Sequence, residues 1–267
     1  MRCKMKIGFI GTGNMGGALA VAAAKKAENT VLLANRHPEK AKALAEKIAA
    51  SVSTNEEIVS SCDFIFLGVK PQVLPGLASD ISEKIKARTS RFIIVSMAAG
   101  TAISKVQSLL GVSCPVIRIM PNTPVSVGEG MILYACSKEV AKEEELAFLD
   151  AMSEAGRFSK LDENLIDAGS AVSGCGPAFA AMFIEALADG GVACGLPRAK
   201  AMEFASQMVY GTAKMIMESG NHPGIVKDAV CSPGGTTIQG VRTLEQNAFR
   251  GAVTDAVISA YEKTLKL

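Results

Sequence analysis

Residues 7–20 read IGFIGTGNMGGALA, and the reading of this stretch decides the fold. A short apolar run closes on Gly11, and glycines recur at Gly13 and Gly16. A G-x-G-x-x-G that follows a strand and opens a helix is the turn that carries a dinucleotide in a βαβ unit. Its first glycine permits the tight turn, and its second lets the backbone approach a pyrophosphate. Its third lets helix and strand pack closely, while the helix N-terminus faces the anion. The alternative is a glycine-rich turn with no ligand. The motif's place at the head of an alternating strand–helix array favours the ligand.

Outward from this motif, residues 6 to about 160 alternate short apolar runs with helical patterns. The strand candidates are KIGFIG, TVLLAN, DFIFLGV, RFIIVSM, PVIRIMP and MILYAC. Helical stretches such as PEKAKALAEKIAA (38–50) and KEVAKEEELAFLDAMSEAG (138–156) lie between them. Near-continuous apolar strands with helical crossovers imply a parallel sheet covered on both faces. The last candidates follow one another with fewer helices between, so a mixed edge is expected. From about 163 the strand signal stops, and residues 177–195, 197–220 and 248–267 read as helices with Pro near starts and Gly after ends. The expected fold class is therefore α/β: an N-terminal Rossmann-type dinucleotide-binding domain, 1–161, followed by an all-helical domain, 162–267. The C-terminal helices are apolar on more than one side, and about 100 residues supply little interior to bury them. An oligomeric interface built from this half follows.

Composition narrows the classes. The chain has 267 residues, 49% hydrophobic and 20% charged, with a net charge of +2. That is a core-forming globular protein with no general attraction to nucleic acid or acidic membranes. Tryptophan is absent and aromatics make up 5%, which argues against a base-stacking platform. The seven cysteines, Cys3, Cys62, Cys114, Cys136, Cys175, Cys194 and Cys231, include no C-x-x-C pair, so reduced thiols are expected and no metal site. The N-terminus superficially resembles a signal peptide, but Asn14 and several glycines interrupt its apolar segment. The longest uncharged run, Ala168 to Ile184, contains Gly, Ser and Pro, so no membrane-spanning helix is expected. A soluble, cytoplasmic protein is the expectation.

The second strand candidate ends in Asn35 and Arg36, where an NAD site usually carries an acid for the ribose 2′-OH. A carboxylate about 4 Å from a 2′-phosphate costs roughly 4 kcal/mol per unit charge at an effective dielectric of about 20. A guanidinium gains a comparable amount before desolvation, and its fork matches phosphate oxygens. NADP(H) is thus preferred and NAD(H) remains open, Arg36 being otherwise a solvated surface charge. Two more stretches fall just past strand ends, where open α/β sheets bind ligands. They are Val69, Lys70 and Pro71 in GVKPQ, and Met120 to Pro124 in RIMPNTP. Asn122 and Thr123 have the groups to hold a carboxamide or ribose, or else to cap a structural turn.

Taken together, GFIGTGNMG, VKP, RIMPNTP, SGCGPAF (173–179), HPG (222–224) and SPGGTTIQG (232–240) resemble pyrroline-5-carboxylate reductase, in order and over nearly the whole chain. The resemblance implies reduction of the cyclic imine Δ1-pyrroline-5-carboxylate to L-proline by NADPH or NADH, the last step of proline biosynthesis. It implies a helical dimerisation domain whose C-terminal helices interleave in a homodimer, and a ring of dimers is consistent with it. By the same resemblance, cofactor contacts fall on Gly11, Thr12, Gly13, Asn14, Met15, Asn35, Arg36, Asn55, Val69, Lys70 and the turn Ala98, Ala99, Gly100. Substrate contacts fall on Ser232, Thr236 and Thr237. Cys175 departs from the family's common SGSGPA, and an inert small residue is expected there.

A substrate of this kind is an anion with a ring imine, and SPGGTTIQG carries no charge. A Pro-Gly-Gly turn feeding a helix exposes backbone N–H groups, and the helix dipole adds about half a positive charge there. Ser232, Gly234, Gly235, Thr236 and Thr237 therefore form a candidate carboxylate nest, with Thr237 as hydrogen-bond donor to the imine nitrogen. One preorganised donor of this type is worth around 3–4 kcal/mol of barrier. The alternative is that the threonines only cap the next helix. His222, beside Pro223, reads as a turn residue ahead of a proton relay. A β-hydroxyacid dehydrogenase would need a lysine where SGCGPAFAAM has Ala180. A dinucleotide-sensing protein without turnover is the non-enzyme rival.

Overall fold

The computed structural model describes Met5–Lys266, so Cys3 lies outside the described residues. The chain divides into two compact units. One runs to Gly174 and takes in the residues from Tyr261 onward; the other is Cys175–Ala260.

The first unit is built from β1 (Lys6–Ile10), α1 (Asn14–Ala24), β2 (Thr30–Ala34), α2 (Pro38–Ile48), β3 (Ser51–Val52), α3 (Asn55–Ser61), β4 (Phe64–Leu67), α4 (Leu74–Ala87), β5 (Ile93–Ser96), α5 (Ile103–Leu110), β6 (Val116–Met120), β7 (Gly130–Cys136), α6 (Lys142–Ala151), β8 (Gly156–Lys160) and α7 (Ile166–Ser173). All six strands expected from sequence form. The sheet order is β3-β2-β1-β4-β5-β6-β7-β8. Every pairing is parallel except β6–β7, which produces the mixed edge. Strand alternation sends side chains into two cores, one on each face of the sheet. Ile7, Phe9, Phe64 and Phe66 face Leu19 of α1 and Phe148 of α6. Ile10, Ile65 and Leu67 face Ile58 of α3, Leu77 and Ile81 of α4, and Val106 of α5. Burial on both faces is why these strands read as unbroken apolar runs.

Two parts of the sequence reading change. The helix expected over 138–156 stops at Ala151, and the chain then forms β8, paired with β7 from Gly130↔Gly156. Gly156 has φ +128, and a Cβ there would collide with the Gly130 backbone, so a glycine that looked like a helix terminator is a strand contact. The unit also runs past the expected 161/162 boundary. Ile166 is fully buried in the sheet's core, and Arg118 of β6 pairs with Asp167 of α7, so α7 belongs with the sheet.

The second unit contains α8 (Gly176–Ala193), α9 (Arg198–Ser219), α10 (Pro223–Val230), α11 (Thr236–Gln246) and most of α12 (Phe249–Thr264). Proline sits in the first turn of α8, where its missing N–H costs nothing. Gly174 and Cys175 keep right-handed helical torsions. The Gly, Ser and Pro of 168–184 therefore interrupt helix less than expected, and Glu163–Ala193 is long and apolar enough to cross a membrane by length and composition alone. α8 and α9 pack through Ala188, Ala201 and Ala205, with Ile184 and Val192 against them. Those alanines are the buried apolar residues of this unit, while Met182 is 69% exposed, Met217 61% and Phe204 53%. Large apolar side chains face outward on nearly every helix, the state anticipated for an oligomer-forming half seen as one chain.

Candidate active site

The site in the first unit starts at the end of β1. Gly11 has φ +100, a left-handed conformation that side chains resist, and its Cβ would stand 2.5 Å from the Gly68 carbonyl oxygen. A Cβ on Gly16 would run into the Gly11 carbonyl, whereas one on Gly13 would meet nothing within 4 Å. The three glycines thus serve as the turn, the open approach and the close packing. The N-cap of α1 is Gly13, in extended conformation, with no side-chain cap and no acid in the first turn. The leading N–H groups of α1 are left for an anion. Thr12 Oγ1, just before them, is buried with no hydrogen-bond partner, an unmet demand of the sort that gathers at binding sites.

Two cavities flank this turn at the carboxyl ends of the strands. The first, of about 450 Å³, is lined by Gly11, Asn35, Arg36, Asn55 and Val69. The second, of about 460 Å³, is lined by Gly13, Asn14, Met15, Val69, Lys70, Pro71 and Ala99. They lie to either side of the β1–β4 switch point, where the sheet's winding reverses. Arg36 is exposed at the end of β2, and no ion pair engages it among the described residues. A dinucleotide fits these residues: an open amide-rich turn between two cavities, with a free guanidinium on the β2 side.

Three expected positions offer no side chain to these cavities. Thr12 lines neither cavity. Ala98 is 1% exposed and sits in the core, so only its backbone is available to a ligand. Asn122 is replaced as a ligand-holding side chain by a structural role. Its Nδ2 donates to the Ser173 carbonyl at 2.9 Å, and its Oδ1 accepts from the Met131 N–H at 2.8 Å. The carboxamide braces the chain after β6 against α7 and β7.

Sequence reasoning missed Gly68, Met97 and Asp80. Gly68 stands back to back with Gly11, and the signal available was a second glycine at the end of the strand next to β1. Met97 lines the second cavity and Asp80 the first. Asp80 is an ordinary exposed residue of α4 with nothing in sequence to single it out.

In the second unit, Gly234 has φ +67 and Gly235 N–H donates to the Ser232 carbonyl at 3.0 Å, closing the turn. Gly235 is the N-cap of α11, extended and without a side-chain cap. A Cβ on Gly235 would strike Ser232 Oγ. Thr236 and Thr237 are therefore the first two helical residues rather than caps, and both are exposed. α11 has no acid in its first turn, which leaves its leading N–H groups and two hydroxyls open. His222 caps α10, its Nδ1 accepting from Gly224 N–H at 3.1 Å, so it is the turn residue expected. Cys175 is a half-buried free thiol. The same unit holds an apolar groove of about 620 Å³ between Phe179, Phe183 and Leu187 of α8 and Leu244, Phe249 and Val253 of α11 and α12.

Comparison with known proteins meets this geometry. Residues 163–267 match the family described as pyrroline-5-carboxylate reductase dimerisation, and 6–100 match NADP oxidoreductase coenzyme F420-dependent. The chain is 39% identical over 266 residues to the pyrroline-5-carboxylate reductase of Escherichia coli (strain K12), covering 98% of each chain. It is 40% identical over 266 residues to that of Methanosarcina acetivorans, covering 98% of this chain and 97% of the relative. Among solved structures, the pyrroline carboxylate reductase of Plasmodium falciparum with NADP bound is 30% identical, with a TM-score of 0.84 and 98% of each chain covered. The enzyme of Streptococcus pyogenes is also 30% identical, with a TM-score of 0.86 over 100% of both chains.

Proposed function

The chain belongs to the pyrroline-5-carboxylate reductase family, and from that premise we propose that it reduces Δ1-pyrroline-5-carboxylate to L-proline with NADPH. The observation that carries the reading is the open start of α11, a charge-free Pro-Gly-Gly turn whose two threonines follow the N-cap instead of filling it. Bound NADPH supplies the hydride.

In this reading, Gly11 to Met15 hold the pyrophosphate at the start of α1, and Arg36 takes the 2′-phosphate. Asn35 and Asn55 on the same side, and Val69, Lys70, Pro71 and Ala99 on the other, enclose the rest. In the second unit the backbone N–H groups of Gly235, Thr236 and Thr237 hold the substrate carboxylate, aided by Ser232 and by the dipole of α11. Thr237 Oγ1 donates a hydrogen bond to the ring nitrogen and compensates charge there while its neighbouring carbon gains hydride. A threonine hydroxyl is far too weak an acid to give up its proton, so the neutral imine accepts this hydrogen bond and the nitrogen takes its proton through water. The C=N bond becomes CH–NH with one hydride and one proton taken up.

The reading also covers assembly and place. The apolar faces of α8, α9 and α12 are covered by the same faces of a second copy, giving a homodimer that can stack into a ring of dimers. The described cysteines are free, in keeping with the reducing cytoplasm. The test is loss of NADPH absorbance when pyrroline-5-carboxylate is added. Binding of NADPH without turnover, beside an active control enzyme, would leave a dinucleotide sensor instead.

A further inference from the structure

We infer that Lys70 makes this site discriminate between the two redox states of its cofactor, favouring NADPH over NADP+. The inference rests on the proposed reductase reading and concerns its second cavity. Among the residues lining that cavity, Lys70 alone carries a charge; the rest are glycine, alanine, proline, methionine, Val69 and Asn14. Its side chain is exposed at the end of β4, and among the described residues no carboxylate pairs with it. The positive charge is therefore uncompensated within the protein.

The placement of Arg36 in the first cavity gives the direction in which a dinucleotide lies. The adenosine end, with its 2′-phosphate, belongs at β2, and the pyrophosphate belongs over the start of α1. The nicotinamide end then falls to the cavity walled by Met97, Met120 and Lys70. The phosphates carry the same charge in both redox states, whereas the ring is neutral when reduced and carries +1 when oxidised. A fixed cation in this cavity therefore acts on the difference between the two forms. Repulsion between unit charges roughly 10 Å apart, at an effective dielectric of about 20, shifts an affinity ratio by about tenfold. Solvent exposure and salt trim this to about three- to tenfold. The benefit falls on release of the oxidised cofactor, a step that often limits turnover. The same charge opposes growth of positive charge on the ring during transfer, so the gain in product release is set against a smaller cost in the chemical step.

The experiment is titration of wild type, Lys70→Met and Lys70→Arg with NADPH and with NADP+, without substrate, by calorimetry. Wild type should bind NADPH more tightly. Lys70→Met should narrow the NADP+/NADPH ratio of Kd values by about three- to tenfold, and Lys70→Arg should keep it. If Lys70→Met weakens both forms by the same factor, the lysine is a phosphate clamp and the inference is overturned while the reductase reading stands. A wild-type protein that binds neither form would remove the reductase reading and this inference with it.

Discussion

Arg118 of β6 and Asp167 of α7 meet at 2.6 Å, with the arginine side chain only 4% exposed. Glu163 adds a second carboxylate at 3.6 Å, and its Oε1 also accepts from the Ile103 N–H at 2.6 Å. Removing Asp167 leaves the buried guanidinium with only the longer Glu163 contact, which costs part of the roughly 3–5 kcal/mol of an unmatched buried charge. Asp167→Ala should therefore lower unfolding stability by a few kcal/mol in urea titrations. Arg118→Met combined with Asp167→Leu should lose much less than the sum of the single changes. Additive losses would show that the pair is not coupled.

Gly13 and Gly68 separate binding from folding. A Cβ at Gly13 enters open space, while one at Gly68 collides with the Gly11 carbonyl. Gly13→Ala should leave the melting temperature nearly unchanged and weaken NADPH binding by about tenfold or more, since the methyl stands where the pyrophosphate approaches. Gly68→Ala should lower both. Equal melting temperatures for the two variants would refute the back-to-back contact as a constraint.

Cofactor choice turns on Arg36. Arg36→Glu exchanges a favourable pairing with a 2′-phosphate for repulsion worth roughly 4 kcal/mol at about 4 Å. The KM for NADPH should rise far more than the KM for NADH, and a common rise in both would detach Arg36 from the phosphate.

Thr237 is tested by splitting binding from turnover. Thr237→Ala should keep NADPH affinity and lose about 10²–10³ in kcat, and Thr237→Ser should recover much of it. Unchanged turnover in the alanine variant would remove the hydroxyl from the mechanism.

Burial pushes the thiols of Cys62, Cys114 and Cys136 up from 9.0 to about 11. The fold favours the protonated form, so this stabilisation is complete below about pH 9 and is lost as pH rises through about 11. Unfolding stability should fall over that interval, and replacing the three by Ala, Ser or Val in combination should flatten the fall. At pH 8, iodoacetamide should modify exposed Cys194 and spare these three.

What the sequence made legible follows from burial. β1, β2, β4, β5 and β7 are apolar on both faces, so each appears as a nearly continuous run, and β6 is broken only by Arg118. β3 is two exposed residues, Ser51 and Val52, and carries no such mark. β8 places Arg157 and Lys160 at an edge, behind a helix whose pattern runs into it. At the candidate site, glycine spacing located the α1 turn and composition located the α11 turn, because both depend on what the backbone permits. Asn122 was illegible for the opposite reason. Its role is fixed by Ser173 and Met131, partners that only the fold brings near it.

In the proposed homodimer, the three-alanine interior of the second unit makes its folding bimolecular. A solitary nascent chain can complete its sheet, but on that proposal its helices gain an interior only on meeting another copy, and scarcity of the protein would become a form of instability. Output of the enzyme would then rise more steeply than its synthesis at low abundance, with the encounter of two chains setting the threshold.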